Sequence, residues 1–73
     1  MRDINRISKF LKKIEERWIK YFPDWRFGQL MMNFLGWASN KYGDPFFWEE
    51  TQFIEYFDEF INSGNSPFKK SEE

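Results

Sequence analysis

Ile4, Ile7, Leu11, Ile14, Trp18 and Tyr21 are separated by three, four, three, four and three residues. A helix of about 3.6 residues per turn gathers such positions on one face, whereas a strand would scatter them over two. No alternating apolar–polar run competes with this pattern elsewhere in the chain. The spacing therefore predicts an all-α fold, a small bundle of about three helices. The first helix is expected over Ile4–Tyr21. Asp3 suits its N-cap, because a carboxylate there accepts a hydrogen bond from a free N–H of the first turn. Pro23 ends it, having no N–H to give and disfavouring helix at Phe22.

A second helix is expected from Trp25 to about Ser39, with Asp24 as its cap. Phe27, Leu30, Met31, Phe34, Leu35 and Ala38 keep the helical period. Gly28 and Gly36 interrupt it, each costing about 1 kcal/mol against Ala in a helix interior. They lie eight residues apart, roughly on one side, which predicts the close approach of a backbone or a ring. Asn40 to Pro45 is turn chemistry. Asp44-Pro45 suits the opening of a last helix, which runs to about Ile61 with Phe53, Ile54, Phe57, Phe60 and Ile61 on one side. Phe46, Phe47 and Trp48 either pack or protrude. Gly64 is a natural stop. The chain thus reads as one helical domain over 1–64 and a flexible, disordered tail over 65–73.

With 73 residues, such a domain is near the lower limit for folding alone. Neither cysteine nor histidine occurs, so no disulfide or cysteine-bound zinc reinforces it. Seventeen aromatic residues, ten Phe, four Trp and three Tyr, take that part. Each ring buries about 150–250 Å². The rings of Trp18, Trp25, Trp37, Trp48, Phe46 and Phe47 exceed what a three-helix core obviously needs, so some are candidates for an exposed contact surface.

The missing His and Cys also remove the usual groups for nucleophile activation and proton shuttling at neutral pH. The five serines occupy no nucleophile elbow, and no glycine-rich phosphate loop appears. Asp44, Glu49 and Glu50 match no calcium-loop spacing and are better read as acids at a helix N-terminus. Neither enzyme activity, nor a cofactor, nor a metal site is expected. No apolar run approaches the ~20 residues needed to cross a membrane, and the N-terminus lacks the apolar stretch of a signal peptide. A cytoplasmic location is the default expectation.

The net charge of −1 conceals an asymmetry. Residues 1–26 carry eight basic and four acidic side chains, whereas 27–68 carry one basic and six acidic. Arg2, Arg6, Lys9, Lys13, Arg17 and Lys20 repeat every three or four residues along one side of the first helix. Such a stripe suits phosphates or an acidic protein. It equally suits a solvated face partly neutralised by the acidic last helix. A pI near 5.5 opposes a dedicated nucleic-acid binder, so nucleic acid is not the expected partner.

Trp18, then Pro23-Asp24-Trp25-Arg26-Phe27-Gly28-Gln29-Leu30 and Asn33, followed by Asp44-Pro45-Phe46-Phe47-Trp48-Glu49, form two separated motifs. Together they resemble a family of short bacterial proteins of unknown function, many from phages and prophages. That family reads W, then P-D-x-R-[FL]-G-Q-L, N and D-P-F-[FY]-x-E. The resemblance covers about Ile7 to Phe60. Trp48 stands where the family has a smaller aliphatic residue. No activity comes with the resemblance; it implies a phage or mobile-element setting, in which small proteins often act by binding a host protein, for instance to block a defence system. Within the motifs, Arg26, Gln29 and Asn33 share a face of the second helix. One expectation is that they bond the Asp44–Phe46 turn and fix it; the other is that they recognise a partner.

The expected role is a small cytoplasmic protein-interaction module, in its sharper form a phage-encoded modulator of a host protein. Its candidate contact residues are Trp25, Arg26, Gln29, Asn33, Phe46, Phe47 and Trp48. The rivals are a nucleic-acid-binding domain using the basic stripe and a structural homodimer.

Overall fold

Asp3 lies one residue before the cap position of the first helix, which is Ile4 and not Asp3, and its carboxylate accepts a hydrogen bond from the Asn5 N–H at 2.9 Å. The computed structural model describes residues 2–65. Its elements, in order, are α1 (Asn5–Tyr21), α2 (Phe27–Tyr42), a 3-10 turn (Pro45–Phe47), α3 (Glu50–Phe60) and a wide helical turn (Ile61–Asn65). There is no strand among the described residues, and the fold is a small all-α bundle. Apart from Asn65, the tail expected over 65–73 lies outside the described residues. Gly64 has φ of 88°, the left-handed conformation that suits a helix stop.

The second helix starts later than expected. Asp24 is not its cap. Pro23 and Asp24 instead form the middle of a β-turn closed by the Trp25 N–H on the Phe22 carbonyl at 3.0 Å. Proline pre-sets the backbone for that turn, so the chain spends Asp24 on reversal, and α2 runs from Phe27 to Tyr42 with Arg26 as its extended cap. The last helix also starts late. Asp44 does cap, accepting from the Phe46 N–H at 3.0 Å, but only a single 3-10 turn follows. Trp48 and Glu49 are extended, and α3 starts at Glu50 behind a reciprocal capping box between Glu49 and Gln52, which satisfies two otherwise orphaned donors.

The core is made of rings. Ile14, Phe22, Leu30, Phe34, Ala38, Phe57, Phe60 and Ile61 are buried. Phe34 sits at the centre, its ring 5.0 Å from Phe53, 4.9 Å from Phe57 and 5.5 Å from Phe60. Phe22, just beyond α1, stacks on Phe57 and Phe60 at 6.1 and 5.8 Å. Contacts of this kind add about 0.5–1.5 kcal/mol each beyond the area they bury.

Two sets of contacts fix the helix directions. Arg2 pairs with Glu49, Arg6 with Glu50, Phe10 with Phe53 and Arg17 with Asp58. The partners advance together, so α1 and α3 run in the same direction. Tyr42 stacks on Tyr56 at 3.8 Å, within the stretch of α3 that Phe34, eight residues earlier, also touches. α2 therefore crosses α3 instead of running alongside it.

This arrangement corrects the expected inner face of α1. Ile4, Ile7 and Leu11 are 75%, 47% and 55% exposed. The helix turns its Arg6, Phe10 and Arg17 side towards α3, about 60–100° round from Ile7 at 100° per residue. α2 meets the stripe near the other end, where the Trp18 and Phe27 rings lie 5.6 Å apart. The close approach expected at Gly28 and Gly36 is not found: a Cβ at either would have nothing within 4 Å.

Candidate interaction surface

The segment between α2 and α3 is built to hold its shape. Gly43 ends α2 with φ 85° and ψ −161°, a region essentially reserved for glycine. Its N–H closes the helix on the Ser39 carbonyl at 3.0 Å. The next bonds run from the Phe46 N–H to the Asp44 carboxylate, from the Phe47 N–H to the Asp44 carbonyl at 3.2 Å, and from the Trp48 N–H to the Pro45 carbonyl at 3.1 Å. Trp48 then turns inward, its ring edge-on to Tyr56 at 4.8 Å and to Phe34 at 6.3 Å. Between these anchors Phe46 and Phe47 point outward, 83% and 75% exposed. Their rings brace one another edge to face at 4.9 Å. On a scale of 150–250 Å² per ring, the pair offers about 250–400 Å² of apolar surface.

The other candidate contact residues fall into a separate group. Trp25 is half-buried, packed on Phe22 at 4.7 Å, and its carbonyl accepts from the Trp18 indole N–H at 3.0 Å. Arg26, Gln29 and Asn33 are exposed. The expectation that they tie down the Asp44–Phe46 turn is not met: the Asn33 side chain donates to the Gln29 carbonyl of its own helix at 2.9 Å, and the turn is held by its own backbone and Asp44.

Half of the basic stripe is used within the chain. Arg2 reaches Glu49 at 3.1 Å, Arg6 reaches Glu50 at 3.0 Å, and Arg17 holds Asp58 at 2.6 Å through Nε and 3.2 Å through Nη2. The hydrogen bonds that Arg17 donates to the Asp58 carboxylate hold its guanidinium above the ordinary arginine pKa. Lys9, Lys13 and Lys20 have no carboxylate partner among the described residues. Between α1 and α3 lies a groove of about 340 Å³, with Phe10 and Ile54 as its apolar members, Arg6, Lys9 and Lys13 on the α1 side and Glu49, Glu50 and Thr51 opposite.

Adjacent acids on α3 bind opposite neighbours. Asp58 faces α1. Glu59 accepts from Lys41 and from the Tyr42 hydroxyl of α2. Those two bonds, Lys41 first, hold the Glu59 carboxyl below the usual carboxylate range. They also push Lys41 and Tyr42 up, each chiefly through its bond to Glu59. Among the described residues no group of three or more acidic side chains is placed to hold a metal ion, and no helix is long and apolar enough to cross a membrane.

Sequence reasoning did not single out Ile4, Ile7 and Leu11 as exposed, nor Glu59 and Tyr42 as a linked pair. Only one missed feature had a local signal: Glu49 and Gln52 stand at the capping-box spacing. The chain matches no protein-family model, no curated protein and no solved structure. Fold and surface alone therefore define it as a small, aromatic-cored, all-α domain with an outward-facing phenylalanine pair.

Proposed function

We propose that this chain is a small cytoplasmic protein-interaction module without catalytic activity, which modulates a host protein in a phage or prophage setting. The observation that carries the contact role is the exposure of Phe46 and Phe47 on a turn anchored at both ends. Exposed rings contribute little to folding, and an apolar patch of a few hundred Å² is often functional. The turn presents the rings in a fixed arrangement, which reduces the ordering cost of binding. The setting rests on the resemblance of the two sequence motifs.

Nucleic acid is the weaker reading. Three of the six stripe cations are paired with Glu49, Glu50 and Asp58, and those acids repel phosphate beside them.

The test is a paired affinity capture from the native host, using the tagged wild-type chain and a Phe46→Ser/Phe47→Ser variant, both shown helical by circular dichroism. The expected result is a protein recovered stoichiometrically by the wild type and lost with the variant. Indistinguishable recoveries would overturn the contact role of the turn.

A further inference from the structure

We infer that the Phe46–Phe47 turn has a partner in a second copy of this chain: the two rings of one copy seat in the α1–α3 groove of the other, reciprocally. The inference rests on reading the turn as a contact element and names what it contacts.

Size is the first argument. A closed apolar cavity of about 150 Å³ takes up benzene, so a groove of about 340 Å³ is on the scale of two phenyl rings. Chemistry is the second. Phe10 and Ile54 are the apolar members of the groove, and Lys9 and Lys13 on its α1 side have no carboxylate partner among the described residues. A cation near the face of a ring is attracted by its quadrupole. The aliphatic stems of the same lysines cover apolar surface while their charged ends stay in water.

Placement is the third argument. The groove includes Glu49, Glu50 and Thr51, which follow the turn within a few residues. The rings and the groove thus lie at the same end of each copy. A twofold axis can then satisfy both contacts at once, giving a closed dimer instead of an open chain of copies. Ile4 and Ile7 are exposed at that end too, where Arg2 and Arg6 tie the start of α1 to Glu49 and Glu50. The contact belongs among the smaller specific interfaces, so the dimer is expected to dissociate on dilution.

Light scattering from low to several hundred micromolar reads the mass. The wild type should rise from 9.1 kDa towards twice that value. Phe46→Ser/Phe47→Ser should weaken the dimer by at least about tenfold, since burying even one ring contributes more than that factor. Thr51→Arg keeps the rings but narrows the groove from an exposed position, and should weaken it similarly. Circular dichroism checks that both variants fold. In a mixture of isotope-labelled and unlabelled wild-type chains, isotope-filtered Overhauser contacts should join the Phe46 and Phe47 rings of one copy to Ile54 of the other. A wild type that stays at monomer mass overturns the second-copy inference, while the paired capture still decides whether the turn binds another protein. A dimer that survives in the ring variant, or whose intermolecular contacts avoid Ile54, also overturns it.

Discussion

Replacing Gly36 with Ala should stabilise the domain, and replacing Gly43 with Ala should do the reverse. Gly36 is the tenth residue of the sixteen in α2; its φ is not positive, and a Cβ there meets nothing within 4 Å. Alanine therefore adds neither clash nor contact. What remains is the backbone entropy that glycine loses and alanine does not, about 0.8–1.0 kcal/mol. For a chain of this size that corresponds to a rise in Tm of about 4–8 °C. Gly43 has equally open space around it, but φ 85° with ψ −161° excludes comfortable occupancy by an L side chain, at a cost of about 1–3 kcal/mol. Thermal and urea unfolding followed by far-ultraviolet dichroism measures both, with an unchanged urea slope confirming an unchanged unfolding reaction. A fall in stability for Gly36→Ala would refute the reasoning, since the only remaining cause would be something packed against α2 at that position.

Phe34→Ala removes the ring at the centre of the core and should cost about 3–5 kcal/mol, as much as a core this small supplies; a helical dichroism spectrum at 25 °C matching the wild type would contradict this. The Lys41–Glu59–Tyr42 cluster predicts opposite responses at the two ends of the pH scale. Glu59 is held below its ordinary value, so its contribution is present above the ordinary carboxylate range and is lost as pH falls through the lowered pKa. Tyr42 is raised, so its contribution is complete below the ordinary tyrosine value and is lost as pH rises through the raised one. In Glu59→Gln the Tyr42 titration, followed by NMR, should move back towards the ordinary tyrosine range, and no change would show that Glu59 is not the cause. Binding to duplex or single-stranded DNA should be undetectable at about 150 mM salt, where the few free cations are screened; submicromolar binding there, measured by fluorescence anisotropy, would show the basic stripe to be functional.

Helix content was legible because it depends on local period, and α1 ends within a residue of where the spacing places it. Starts were harder to read. Asp24 and Asp44 are both good cap residues, but each lies beside a proline, and proline serves a turn as well as a helix. At Pro23 the turn won outright; at Pro45 the helix lasted one turn. The inner face of α1 was misread for a different reason. Ile4, Ile7 and Leu11 have the right period, but which side of a helix is covered depends on where the other helices stop, and α2 crosses near Trp18. The contact residues were readable only as a set. That Phe46 and Phe47 face outward while Trp48 turns in follows from the hydrogen bonds of the 3-10 turn, which neither composition nor spacing contains.

The ion pairs of α1 also bear on the order in which the chain assembles. They join residues 47, 44 and 41 positions apart, whereas the contacts of Phe34 with Phe53, Phe57 and Phe60 span 19, 23 and 26 positions. Closing a short loop costs less chain entropy than closing a long one, so the ring cluster around Phe34 can form before α1 arrives. α1 itself contributes only Ile14 to the buried set. α1, held on α3 by these distant pairs, is thus expected to be the first helix to lift away. Its amides should exchange with solvent through partial openings that leave α2 and α3 paired.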